Sequence, residues 1–99
     1  MRILSLPTLR AFYQTPRYAD AKGPLLAWHA HTLKANWLEP ADVKADFGNA
    51  SILKEGRVVF NIAGNKYRLV TSINYPYGIV FVRFIGTHKQ YDAIDAQTI

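Results

Sequence analysis

The run Ile79-Val80-Phe81-Val82-Arg83-Phe84-Ile85 reads as a strongly apolar strand, and it leads straight into Gly86-Thr87-His88-Lys89-Gln90-Tyr91-Asp92. A histidine, a lysine and a tyrosine therefore stand just past a strand end, where a rigid scaffold can hold reactive groups. Upstream, in Asn65-Lys66-Tyr67-Arg68-Leu69-Val70, alternation directs Lys66 and Arg68 to one face of a neighbouring strand. A cationic sheet surface with an imidazole at its rim suits a polyanion. Cleaving an RNA phosphodiester without a metal makes three demands on such a surface: removing the 2′-hydroxyl proton, stabilising charge on the phosphorane and protonating the leaving 5′-oxygen. Arginine and lysine fit the second, because their charge persists at neutral pH and a guanidinium can hold two phosphate oxygens at once. Histidine fits proton transfer, which singles out His88. Tyr91 could orient the reacting group or stack on a base. Lys66 could act as a base only if neighbouring cations made its neutral form accessible.

Each of these residues also has a plain structural reading. A histidine at a strand end can be a solvated turn residue or a helix cap, and basic residues on an exposed strand can guard an edge against aggregation. The shared face of Lys66 and Arg68 is what favours function. His29 and His31 resemble a metal pair, but two residues apart on a helix they point in widely different directions and cannot chelate one ion; His29 is expected to border the core and His31 to face water. Trp28, Trp37 and Phe47 follow the helical apolar pattern and read as packing residues.

Composition sets the class. A chain of 99 residues with 49% hydrophobic residues is large enough for one modest core, hence a single domain over residues 1–99, and too apolar for disorder. The formal net charge of +5 and a pI near 9.7 suit phosphate backbones or an acidic protein. Without cysteine there is no disulfide framework, no thiolate nucleophile and no thiolate zinc site. No cofactor or metal is expected. Met1-Arg2-Ile3-Leu4-Ser5-Leu6-Pro7 is too short for a signal peptide, and no apolar run is long enough to span a bilayer, so a soluble, cytoplasmic protein is expected.

The elements that must position the site fall into helices first and sheet second. Arg2–Ser5 is a candidate strand, and Pro7 starts a helix to about Gln14 that Thr15-Pro16 stops. Gly23-Pro24 opens a second helix through about Trp37, with Leu26, Ala30, Leu33 and Trp37 recurring on one face. Pro40 starts a short third helix that Gly48-Asn49 ends. From Arg57 the period changes to two, giving strands near Arg57–Ile62, Tyr67–Tyr75 and Ile79–Gly86 with turns at Gly64-Asn65 and Pro76-Tyr77-Gly78. The fold class is therefore α+β, with N-terminal helices packed on one face of a small, mainly antiparallel sheet. A two-residue first turn puts Val58, Phe60 and Ile62 on the face of Tyr67, Leu69 and Ile73, leaving Arg57, Asn61, Lys66 and Arg68 on the other. A three-residue second turn sets Arg68 opposite Gly86 and Lys66 opposite His88. Arg83 falls on the helix side by the same parity and reaches the cluster only through a bulge. Arg57, Asn61, Lys54, Lys89 and Arg83 extend the basic surface as candidate RNA contacts.

The order of two helices and three antiparallel strands, with Asn61–Val70, Ile73-Asn74-Tyr75, Pro40–Lys44 and Arg83–Asp92, resembles the HigB family of toxins over nearly the whole chain. That family is similar to the RelE group of toxin-antitoxin ribonucleases. The resemblance implies cleavage of messenger RNA on the translating ribosome and neutralisation by a helix-turn-helix antitoxin of the HigA type. Tyr67-Arg68-Leu69-Val70 matches the RelE pattern in which the arginine of this strand acts at the active site. His88 stands where RelE has a second functional arginine. On this footing Arg68 is assigned to the phosphate, His88 to proton transfer, and Lys66 and Tyr91 to support. Two other classes share these features: a module that holds RNA or ribosome without chemistry, and a protein-directed inhibitor of the ParE type.

Overall fold

The computed structural model describes residues 1–99. In chain order the elements are β1 (Arg2–Leu4), α1 (Leu6–Gln14), a 3₁₀ segment (Pro16–Ala21), α2 (Lys22–Lys34), α3 (Pro40–Asp46), β2 (Ser51–Ile52), β3 (Arg57–Ile62), β4 (Tyr67–Asn74), β5 (Ile79–Thr87) and α4 (His88–Asp92). The strands form one five-stranded sheet in the order β1-β5-β4-β3-β2, in which β1 runs parallel to β5 and the other pairs are antiparallel. This is the expected α+β class. The principal core lies between the helices and the face built by Val58, Phe60, Ile62, Tyr67, Leu69 and Ile73, as alternation dictates.

The second helix departs from the expected phase. It ends at Lys34, and it buries Leu25, Trp28 and Thr32, leaving Leu26 46% and Leu33 49% exposed. The large Trp28 ring decides the matter by packing on Phe60 with centroids 5.5 Å apart, and the inward face it selects carries a polar residue at Thr32. Trp37 still reaches the core from beyond the helix, its indole N–H donating to Asp46 at 2.8 Å. Trp28 and Trp37 are buried and Phe47 packs against Trp37 and Phe60, so all three serve packing.

The sheet register is the expected one in outcome, reached by a different route. Both connecting turns have four residues between paired strand ends, Ile62 facing Tyr67 and Asn74 facing Ile79. The longer second turn shifts the first pairs of β5 by one residue, and an irregularity opposite Val70 and Thr71 leaves Arg83 without a partner and restores Arg68 opposite Gly86. Arg83 thus occupies a bulge, exposed beside Phe81 with its guanidinium carbon 5.3 Å from the ring centroid.

The face away from the helices is less open than expected. Val59 and Val70 are buried there with Ala96, and Leu53, Phe84, Tyr91 and Ile94 pack around them, so the segment after α4 covers the middle of this face. Arg57 donates to the main-chain oxygen of Ile99, and the backbone of Lys54 exchanges two hydrogen bonds with the Gln97 side chain at 2.9 and 2.7 Å.

Candidate active site

Arg68 projects from β4 at the sheet end that remains uncovered. Its cross-strand neighbour is Gly86, which offers no side chain to crowd the guanidinium. The guanidinium donates to the main-chain oxygen of Asn65 at 3.1 Å and to the Asn65 amide oxygen, which anchors it to the β3–β4 turn. Its carbon lies 6.0 Å from the Tyr91 ring centroid. Such a cation–π contact orients the group without consuming its charge.

β5 ends where Thr87 caps α4. The Thr87 hydroxyl accepts from the Gln90 N–H at 3.1 Å, and the Gln90 side chain accepts from the Thr87 N–H at 2.8 Å. This reciprocal capping box fixes the first turn of a helix too short to hold itself. His88 opens that turn, and Tyr91, the ring beside Arg68, follows three residues later on it. Asp92 stands one turn beyond His88, with Oδ2 3.2 Å from Nδ1. With Nδ1–H directed to the carboxylate, Nε2 is left as the ring's acceptor.

Lys66 is placed differently from its expected position. It lies in the turn and donates to Asp20 of the 3₁₀ segment, and the buried Tyr67 hydroxyl donates to the same carboxylate. The hydrogen bond to Asp20 raises the Lys66 pKa above its ordinary 10.5. The same bond, followed by that from Tyr67, lowers the Asp20 pKa below 3.8. A base role for Lys66 is therefore disfavoured: its neighbour is a carboxylate where the sequence reading required cations. Burial first, and then Asp20, raises the Tyr67 pKa. Lys66 faces a groove shared with Arg17, Tyr18, Thr87, His88 and Lys89, instead of the sheet surface that carries Arg68.

The remaining candidates separate. Lys89 is exposed beside His88 in the groove. Asn61 is the cross-strand partner of Arg68. Arg57 and the Lys54 backbone are engaged by the C-terminal segment, and Arg83 lines a different groove with Glu55, Ser72, Asn74 and Phe81. His31 meets Asp46 at 3.1 Å while half-buried His29 lines a cleft between α1 and α2, so the two rings diverge as helical spacing requires. No three His, Asp or Glu side chains converge as a metal group would require. Sequence reasoning missed Asp20, Asp92 and Arg17. Thr87-x-x-Gln90 carried a capping-box signal, and recognising a helix there would have put Asp92 on the His88 face.

Residues 21–94 match a family described as HigB toxin, a RelE-like toxic component of a toxin-antitoxin system. The chain belongs to the HigB toxin family. It is 29% identical over 82 residues to the mRNA interferase toxin HigB of Escherichia coli K12, a match covering 81% of this chain and 79% of that protein. The mRNA interferases HigB of Escherichia coli O157:H7 and of Shigella flexneri match with the same identity and coverage. The region matched to the HigB family contains Arg68, His88, Tyr91 and Asp92, but begins after Arg17 and Asp20. Membership in a toxin-antitoxin family also assigns an antitoxin as partner.

Proposed function

We propose that this protein is an mRNA interferase, an endoribonuclease that cuts messenger RNA on the translating ribosome and is held inactive by a helix-turn-helix antitoxin of the HigA type. The oriented guanidinium of Arg68 on β4, opposite the end of β5, and the Asp92-paired imidazole of His88 at the start of α4 carry this reading. It accords with the activity named for the relatives. In the reaction the 2′-oxygen attacks the adjacent phosphorus, the P–O5′ bond breaks, and a cyclic 2′,3′-phosphate and a 5′-hydroxyl result. Arg68 stabilises the extra charge on the non-bridging oxygens through N–H donors that its Asn65 and Tyr91 contacts already orient. His88 performs one of the two proton transfers through Nε2, Asp92 holding the tautomer that presents it, and solvent water exchanges the other proton. Lys66, kept charged by Asp20, supplies electrostatic support.

The test is direct: the purified chain is added to translating ribosomes and new RNA ends are mapped. Cuts carrying 5′-hydroxyls that vanish with Arg68→Ala and His88→Gln are expected. Folded wild-type protein that leaves the message intact on translating ribosomes overturns the reading and leaves a non-catalytic binder or a protein-directed toxin.

A further inference from the structure

The groove beside His88 has a second wall that the catalytic scheme does not use. Pro16 starts the 3₁₀ segment, and three contacts lock that segment onto the sheet end. The Tyr18 ring stacks on Phe12 at 4.4 Å and 6°, its hydroxyl accepts from Gln90 at 3.3 Å, and Asp20 receives Lys66 and Tyr67. Arg17 is therefore carried by a fixed segment, facing a groove of about 450 Å³ that also contains His88. Pockets of a few hundred cubic ångströms accept ligands of nucleotide size.

The charge in this groove is uneven. Lys66 has its counter-ion in Asp20, whereas Arg17 and Lys89 form no ion pair. Two cations without a carboxylate partner, in a groove that also holds an imidazole, leave room for negative charge from outside the chain. The ligand must carry that charge at intervals along a flexible strand if it is also to reach Arg68 around α4. Single-stranded RNA has this character, and an arginine free of a carboxylate is suited to a phosphate because its fork can grip two oxygens.

The geometry points to a substrate subsite on the 3₁₀ segment in which Arg17, with Lys89 lining the same groove, binds the phosphate of a nucleotide next to the cleaved bond. This inference rests on the ribonuclease reading of the His88 site and adds a binding residue from outside the sheet and α4. Arg17 holds substrate and takes no part in proton transfer, so its loss weakens binding and leaves the rate of bound RNA unchanged.

The test uses a short unstructured single-stranded RNA that is 2′-O-methylated throughout, so it binds without being cut. Its affinity is measured across salt concentrations for wild type, Arg17→Ala, Arg17→Lys and a control, Arg10→Ala, whose residue lines the α1–α2 cleft instead. One lost phosphate contact to a single strand lowers the log–log salt slope by about 0.7, which amounts to roughly fourfold weaker binding near 0.15 M salt. Arg17→Ala is expected to show both effects, Arg17→Lys to retain most of the slope, and Arg10→Ala to match wild type. Cleavage on translating ribosomes, run in parallel, should show a higher KM and unchanged kcat for Arg17→Ala. Equal slopes for wild type and Arg17→Ala, or no salt-dependent binding by wild type, overturn the subsite even where wild type cleaves. Arg17-dependent binding by a wild type that never cleaves instead overturns the ribonuclease reading and keeps the subsite.

Discussion

Asp92 gives His88 a direction that an isolated surface imidazole would lack. The carboxylate 3.2 Å from Nδ1 selects one tautomer, and both groups are substantially exposed, so the contact acts through geometry more than through a strong field. His88→Gln is expected to slow single-turnover cleavage on saturating ribosomes by about 10²- to 10⁴-fold, the scale of general acid-base catalysis. Asp92→Asn should cost about tenfold in wild type and nothing further in the His88→Gln background, because its effect passes through the imidazole. Long-range proton–nitrogen spectra of labelled histidine should show the Nδ1–H form depleted in Asp92→Asn; an unchanged tautomer ratio would sink the positioning role. Arg68→Ala removes an oriented donor, and a loss of roughly a hundredfold in rate is expected with ribosome binding less affected. Lys66→Arg tests the base question, since arginine cannot give up its proton at these pH values. A pH–rate profile that keeps its shape in Lys66→Arg is expected, and collapse of its alkaline limb would return Lys66 to the proton-transfer step.

Elements hold these residues in place, and they were legible to different degrees. The three long strands and their core face could be read because alternation between apolar and polar residues survives any small error in turn length. The bulge at Arg83 could not, because parity assumes a continuous ladder; its compensation for the longer second turn preserved the Arg68–Gly86 pair. The phase of α2 was missed because the buried face contains Thr32, and α4 because a five-residue helix has too few turns to show a period. The site inherited that miss: Arg68 and His88 were visible as residue types, while Asp92 and Asp20 gained meaning only once α4 and the 3₁₀ segment were placed. Two expectations follow at this scale. Gly86→Ala would bring a methyl within 2.6 Å of the Phe84 ring and 2.7 Å of the Gln90 side-chain oxygen, which caps α4. Because both neighbours are side-chain ends that can move aside, a destabilisation of about 1 kcal/mol by urea unfolding is expected, with a further fall in cleavage as the Gln90 cap of α4 shifts. Wild-type stability and rate in Gly86→Ala would show that the cap tolerates the methyl. Asp20 couples the 3₁₀ segment to the sheet with a defined sign. Its folded pKa lies below 3.8, so its contribution is full above that value and is lost as pH falls through the folded pKa. Lys66 and Tyr67 have raised folded values, so their contributions are full below 10.5 and 10.0 and are lost as pH rises through the folded pKa values. Asp20→Asn should flatten the acid limb of the stability–pH curve and weaken the alkaline limb, where the burial of Tyr67 remains. Parallel curves for variant and wild type would exclude the linkage.

At the scale of the whole molecule, charge is distributed by element. Neither α1 nor α2 carries a single carboxylate, while Arg10, Lys22 and Lys34 lie on them, and Arg17 lies on the segment that joins them; these cations contribute heavily to the net +5. Partners of opposite charge are therefore attracted before contact, over distances set by ionic screening of about 10 Å at 0.1 M salt. Membership in a toxin-antitoxin family makes the antitoxin the relevant protein partner, and the same field should draw it in. Expressed alone, the chain is expected to arrest growth, and co-expression of the antitoxin encoded with it should restore growth. Normal growth with abundant folded protein would contradict this. An inactive form carrying Arg68→Ala and His88→Gln allows the association itself to be timed by stopped flow. Electrostatic steering lifts association rates from about 10⁵–10⁶ M⁻¹s⁻¹ towards 10⁸ M⁻¹s⁻¹ at low salt, and added salt removes the gain. The association rate should therefore fall at least tenfold on raising salt from roughly 20 to 500 mM, with dissociation changing much less. Reversing Lys22 and Lys34 to glutamate should flatten that dependence. A rate insensitive to salt in the parent protein would mean that shape and apolar burial alone guide the pairing.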